Sequence, residues 1–273
     1  MLTLIAIEIF KMWKKPRSWF GFAGLFVIVV LMAIGLRHAP PMHHHAVPRG
    51  MMVVGSFLTA GFMTALLLQG MFFTLVPLFV SMVAGDAIAG EASDGTLRTV
   101  LSRPVGRWGF FIAKSMAISL YCIVLTFFLG VSAYIVGLIA LGRGPVTVTW
   151  SGLAVYPEGE GIVRLIGAYA LACVPMIVVA TIALFISNIV NSSPAAIIGP
   201  MLLIFGLMVI SEFDFFKPFK PYFFTTYMDL WKQIFVPKIP MAEIAKDIGY
   251  LVAYIVAFGA AAGFVFSRKD ILA

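Results

Sequence analysis

Long apolar runs alternate with short polar segments along this chain. The runs lie at about Trp19–Leu36, Ser56–Ala84, Trp108–Leu141, Ile162–Ile186, Ala195–Ile210 and Ile248–Phe266. Each approaches or exceeds the ~20 apolar residues that cross a hydrocarbon core about 30 Å thick. The pattern predicts an all-α, polytopic membrane helical bundle of about six transmembrane helices. The third run is too long for one straight crossing, so it tilts or begins as an interfacial helix. Pro77 and Pro175 fall inside the second and fourth runs, where the missing backbone donor predicts kinks that neighbouring helices absorb.

Ahead of the first run, Leu4, Ile5, Ile9 and Met12 or Trp13 recur at helical spacing, with Glu8, Lys11, Lys14 and Lys15 on the other side. This predicts an amphipathic helix over residues 1–16, ended by Pro16 and lying in the interface with its cationic side toward headgroups. The alternative is a frayed extension of the first span. Positive charge follows the first apolar residues instead of preceding them, unlike a secretory signal, so the N-terminus is expected to be retained. Between the fifth and sixth runs, a stretch rich in Phe, Tyr and Lys over residues 211–246 has the composition of a membrane interface. Two readings stay open for it: an outer gate or re-entrant cap, and an amphipathic helix on the membrane surface.

Composition agrees with the pattern. The chain is 62% hydrophobic with 11% charged residues and a mean hydropathy of +1.04, far from the roughly 25% charge of ordinary soluble domains. One transmembrane domain over residues 1–273 is the economical reading. The net charge of +7 comes from Lys and Arg at membrane edges, and no soluble basic segment suggests nucleic acid. Charge density near the span ends favours a cell-membrane protein with both termini cytoplasmic. Cys122 and Cys173 sit inside apolar runs without a CxxC and read as packing residues. The span interiors carry Gln69, Ser81, Thr126 and Thr181 as their polar exceptions, read as helix-packing groups. This argues against a carrier with a carboxylate at mid-membrane and against an intramembrane hydrolase.

One polar segment stands apart. Residues 85–107, GDAIAGEASDGTLRTVLSRPVGR, are dense in acid, base, glycine and proline between two spans. Gly90 and Gly95 beside Glu91 and Asp94 permit a turn. Thr96 or Asp94 then caps a short helix to Ser102, with Leu97, Val100 and Leu101 on one face, and Pro104 stops it. Arg107 and Trp108 anchor the next span at the interface. The order Glu91, Gly95-Thr96-Leu97, Leu101-Ser102-Arg103-Pro104-Val105, Arg107, Lys114 resembles the signature of type 2 ABC transporter permeases. The opening helix with Glu8 and its basic cluster resembles that family's elbow helix, and the closing FSRKDILA its usual ending.

The resemblance implies a permease subunit, most often homodimeric and working in export. Glu91, Asp94, Gly95, Thr96, Leu97, Arg98, Leu101, Pro104 and Arg107 would form the loop that docks a separate cytoplasmic ATP-binding subunit. ATP and Mg would be held by that partner, since this chain shows no GxxxxGK[ST] phosphate loop. No catalytic residue or cofactor is expected on the chain itself. The alternative is a membrane scaffold or assembly subunit of an ABC-like complex whose ATP hydrolysis does work other than translocation. Imidazoles at His43, His44 and His45 suit copper, zinc or nickel, but adjacent residues point apart, and a polar loop with incidental histidines is the favoured reading.

Overall fold

The computed structural model describes residues 1–38, 58–95, 106–150, 154–190 and 192–268. It is 85% helical, and its only strands among the described residues form one two-stranded hairpin. The fold is therefore an all-α bundle. Among the described residues, six helical segments are long and apolar enough to cross a membrane, one of them running from Leu75 to Ser93, and the chain is a multi-pass membrane protein.

The helices are α1 (Leu2–Lys14), α2 (Pro16–Arg37), α3 (Ala60–Met71), α4 (Leu75–Gly85), α5 (Arg107–Ala140), α6 (Glu158–Ile189), α7 (Ser193–Ser211) and α8 (Met241–Arg268). The sequence placed α5 to α8 correctly to within a few residues at most ends; the largest difference is the start of α8, seven residues earlier than expected. Lys15 is extended between α1 and α2. Pro16 dictates this, because its ring disfavours helical geometry in the residue before it while suiting the first turn of a new helix. The corner is closed by the Trp19 indole, which donates to the Trp13 carbonyl at 3.0 Å.

The second crossing departs from a single kinked span. It is broken at Phe72–Thr74 into α3 and α4. Pro77 accounts for the position: it offers no N–H to the carbonyl four residues back, at Phe73, and its ring collides with that carbonyl. α4 does not stop at Ala84. It runs on through a π turn, Asp86–Gly90, and a last turn, Glu91–Ser93. At the far end, the Ala60 N–H donates to the Gly142 carbonyl at 3.2 Å, and Thr59 Oγ1 donates to the Pro145 carbonyl at 2.7 Å. α3 and α4 thus run antiparallel to α5, from a cap end at Thr59 to an elbow end at Glu91.

Burial sets the layering. The apolar windows of the crossing that ends at Ser93 and of α6 are 72% and 67% buried, whereas those of α2, α7 and α8 are 22%, 22% and 17% buried. The first two form the centre, and the last three leave most of their surface for lipid. At about 1.5 Å per residue, α5 and α6 reach roughly 50 Å, well beyond a ~30 Å hydrocarbon core. Their excess length carries the cap.

Within the cap, between α5 and α6, β1 (Val146–Val148) pairs antiparallel with β2 (Ala154–Tyr156). The aromatic stretch is two 3₁₀ segments, Asp214–Tyr222 and Phe224–Phe235, not an α-helix. The second packs inward. Trp231 is fully buried, with ring contacts to Trp150 at 5.0 Å and to Phe72 at the helix break at 5.8 Å.

Candidate functional site: a buried ionic junction at the elbow end

The Lys114 ammonium lies at the elbow end of α5 with only 3% of the residue exposed. It contacts Glu8 Oε2 and Glu91 Oε2, each at 2.9 Å, and stands 5.1 Å from the centre of the Phe110 ring. Glu8 and Glu91 are likewise buried, at 4% and 6% exposed. The second oxygen of Glu8 accepts from Lys11 Nζ at 2.8 Å. Isolated, any of these charges would be costly to take out of water, so they are stable there only as a set.

α1 departs from the expected arrangement at Glu8 and Lys11, which turn into the protein. Leu4, Ile5, Ile9 and Met12 are half-buried beside them, while Ile7, Phe10 and Trp13 are exposed. The physical reason is the pairing demand of Lys114 and Glu91, which Glu8 completes. Lys14 stays on the exposed side, its ammonium 5.4 Å from the centre of the Phe10 ring.

Asp86 forms a second centre beside the first. Its carboxylate is paired with Lys15 at 3.3 Å and with Arg17, and Oδ1 accepts from the Ser193 hydroxyl at 3.0 Å. The π turn makes this possible. Ser187 Oγ donates to the Gly85 carbonyl at 2.6 Å and accepts from the Ala89 N–H at 2.8 Å. In a regular α-helix these two backbone groups would bond to each other; a hydroxyl inserted between them widens the turn. The wider turn leaves Asp86 lying over Gly90, where a Cβ would sit 2.1 Å from Asp86 Oδ1. Gly85 permits α7 to close in, since a Cβ there would meet the Ala196 carbonyl group at 2.8 Å.

The elbow end thus draws α1, α2, α4, α5 and α7 onto two carboxylate centres, and Ser187 of α6 binds the π turn that carries Asp86. α8 joins through the Asn188 side-chain amide, which donates to the Ala262 carbonyl at 3.3 Å, and through Arg107, which donates to the Ser267 carbonyl at 2.9 Å. A cavity of about 20 Å³ remains among Glu8, Lys15, Arg17, Asp86, Glu91 and Lys114. That is room for one water and too little for a substrate, so the junction is a joint and not a binding pocket.

Burial by itself would raise the Glu8 carboxyl. Lys114 and Lys11, bonded to its two oxygens, together outweigh that and hold it below the ordinary carboxylate range.

Of the residues expected to meet an ATPase, Glu91 faces inward to Lys114. Asp94 and Gly95 are exposed beyond it, Gly95 with a φ of 69°, the left-handed geometry glycine adopts freely. Arg107 opens α5. Thr96, Leu97, Arg98, Leu101 and Pro104, and with them the short amphipathic helix, lie outside the described residues, as do His43, His44 and His45. Asp86, Arg17, Ser187 and Ser193 were not singled out from sequence. Asp86 carried a signal as an acid next to the end of an apolar run. Ser187 carried none, because it lies just past the end of the fourth apolar run, where a serine reads as part of a turn. Thr126 and Thr181 do bond carbonyls of their own helices.

A family model described as "Protein of unknown function (DUF2705)" matches residues 46–272. The matched region holds Asp86, Glu91, Lys114 and Ser187 and begins beyond α1 and α2. Among curated proteins, the chain is 26% identical over 212 residues to "Uncharacterized protein YhcI" of Bacillus subtilis (strain 168). That similarity covers 73% of this chain and 66% of the relative, so the chain spans just under two thirds of the relative's length.

Proposed function

The chain belongs to the DUF2705 family, and from the ionic junction we propose that it is the transmembrane permease subunit of an ATP-driven ABC transporter of the type 2 kind, working in export. The observation that carries this reading is the position of Glu91 and Lys114. They close the crossing before the 96–105 segment and open the one after it, and Glu8, through Lys114, ties both to α1. A force applied to that segment from outside the bundle is delivered to two spans and the elbow helix at once. Ion pairs held out of water resist separation, because breaking one leaves an uncompensated buried charge. The joint therefore transmits displacement instead of absorbing it.

In this proposal a separate cytoplasmic ATP-binding subunit, holding ATP and Mg, docks at the segment bounded by exposed Asp94 and by Arg107. Glu91 relays the motion. The permease works as a homodimer in the cell membrane, with both termini cytoplasmic, and carries no catalytic residue of its own. The resemblance of the 91–114 run to type 2 permeases is the second support.

A photo-crosslinking residue at Asp94, introduced into the full chain in native membranes, tests the docking. Capture of a nucleotide-binding protein is the expected result. Crosslinks confined to lipid or to the chain itself would count against it. With that partner present, Arg107→Ala is expected to lower transport per ATP hydrolysed while the protein level in the membrane is unchanged.

A further inference from the structure

The first 3₁₀ segment has a sequence that matches its own geometry. A 3₁₀-helix has three residues per turn, so positions three apart eclipse. Here Phe213, Phe216, Phe219 and Tyr222 fall in one row. Lys217 and Lys220 follow Asp214 in the next, and Pro218 and Pro221 stand in the third. No residue of Asp214–Tyr222 is buried, and Phe213, Phe215, Phe219 and Tyr222 are 59%, 78%, 52% and 74% exposed.

The backbone beneath these side chains is held firmly. The Lys220 carbonyl accepts from Thr226 Oγ1 and the Pro221 carbonyl from the Tyr227 hydroxyl, both at 2.7 Å. The Tyr222 carbonyl accepts from the Tyr254 hydroxyl of α8. A ribbon fixed on its protein side that presents aromatics and ammonium groups on the other is built to meet something.

Depth identifies what. α7 has 19 residues from Ser193 to Ser211, about 28 Å at 1.5 Å per residue, close to one hydrocarbon thickness. The ribbon begins directly after it, so it emerges at headgroup level. Aromatic rings favour that zone, and lysines there attract anionic lipid. Pro218 and Pro221 lie inside the segment, and their φ, fixed at about −65°, suits 3₁₀ geometry and stiffens the ribbon.

We propose that residues 213–222 form a rigid interfacial belt whose rings enter the acyl boundary and whose Lys217 and Lys220 bind anionic phospholipid headgroups. The belt fixes the depth of the cap and the cap end of α7 in the bilayer. Lys217 shares its charge with Asp214 at 2.5 Å, so Lys220 contributes the larger part of the headgroup attraction.

The test uses the full chain in nanodiscs of mixed phosphatidylglycerol and phosphatidylcholine. Cys122 and Cys173 are buried, so a thiol-reactive nitroxide on Phe215→Cys reports the belt. The label is expected to be accessible to oxygen and shielded from a water-soluble nickel complex. Accessibility to nickel as high as in free solution would overturn the proposal. Shielding from both probes would place a second copy of the chain on the ribbon and overturn it as well. Native mass spectrometry supplies an independent arm. Lys217→Gln/Lys220→Gln is expected to lower the retained ratio of phosphatidylglycerol to phosphatidylcholine by about tenfold, with Lys217→Arg/Lys220→Arg preserving it. An unchanged ratio in the glutamine variant would contradict the headgroup assignment.

Discussion

Lys114 is the residue on which the elbow end depends. Replacing it with Ala strands Glu8 and Glu91 as buried carboxylates without that partner, at an expected cost of about 3–5 kcal/mol. Exchanging all three together, as Glu8→Leu/Glu91→Leu/Lys114→Met, removes every stranded charge and should restore most of that stability while abolishing coupled transport. Thermal unfolding in detergent separates the two outcomes. If the triple variant were as unstable as Lys114→Ala, packing and not charge pairing would hold the joint. Ser187 belongs to a gentler class. With Ser187→Ala, the Gly85 carbonyl and the Ala89 N–H can bond directly, so the loss should be only about 0.5–1.5 kcal/mol. Glu8 adds a pH dependence. Its folded carboxyl lies below its unfolded value near 4.5, so its contribution is present in full above that value. It is lost as pH falls further, through the lowered folded value. A melting series from pH 6 to pH 3 should slope downward at the acid end, with a smaller slope in Glu8→Gln.

Individual helices show which features were legible and which were not. α5 to α8 were readable because one apolar run makes one crossing whatever its neighbours do. The break between α3 and α4 was only half readable: Pro77 announced a defect, but a kink becomes a break when something fills it, and Trp231 lies some 160 residues further along the chain. The π turn was not readable, since Ser187 comes from a different helix. The inward turn of Glu8 was missed because the amphipathic pattern of α1 fits a headgroup-facing Glu8 and a buried, paired one equally well. Only the three-dimensional position of Lys114 chooses between them. Glycines test the helix packing. Gly85→Ala places a Cβ 2.8 Å from the backbone of Ala196 and should push α4 from α7, lowering the melting temperature. A Cβ added at Gly70 in α3 would meet nothing within 4 Å, and Gly70→Ala should be neutral or stabilising by up to about 1 kcal/mol.

The whole molecule has two unlike ends. At the cap, aromatic packing and a small hairpin join α5 and α6 to the 3₁₀ segments. At the elbow, two carboxylate centres gather five helices, Ser187 of α6 joins them through the π turn, and α8 is tied on by hydrogen bonds. In the proposed function, the end pinned by charge receives the work and the helices change shape between it and the end packed by rings. The sequence pointed to that end through the composition of residues 85–107. It did not show that the most informative acid there, Glu91, faces inward, because that depends on where α1 and α5 lie. In the proposed function a separate ATPase drives this chain through that end. The most direct measurement is ATP hydrolysis that co-purifies with the tagged full chain extracted from its native membrane in mild detergent. Hydrolysis is expected with the wild-type chain, and its loss when the exposed boundary is reversed by Asp94→Lys/Arg107→Glu while the chain remains folded. An intact chain that brings no ATP hydrolysis, or hydrolysis indifferent to those substitutions, would contradict it.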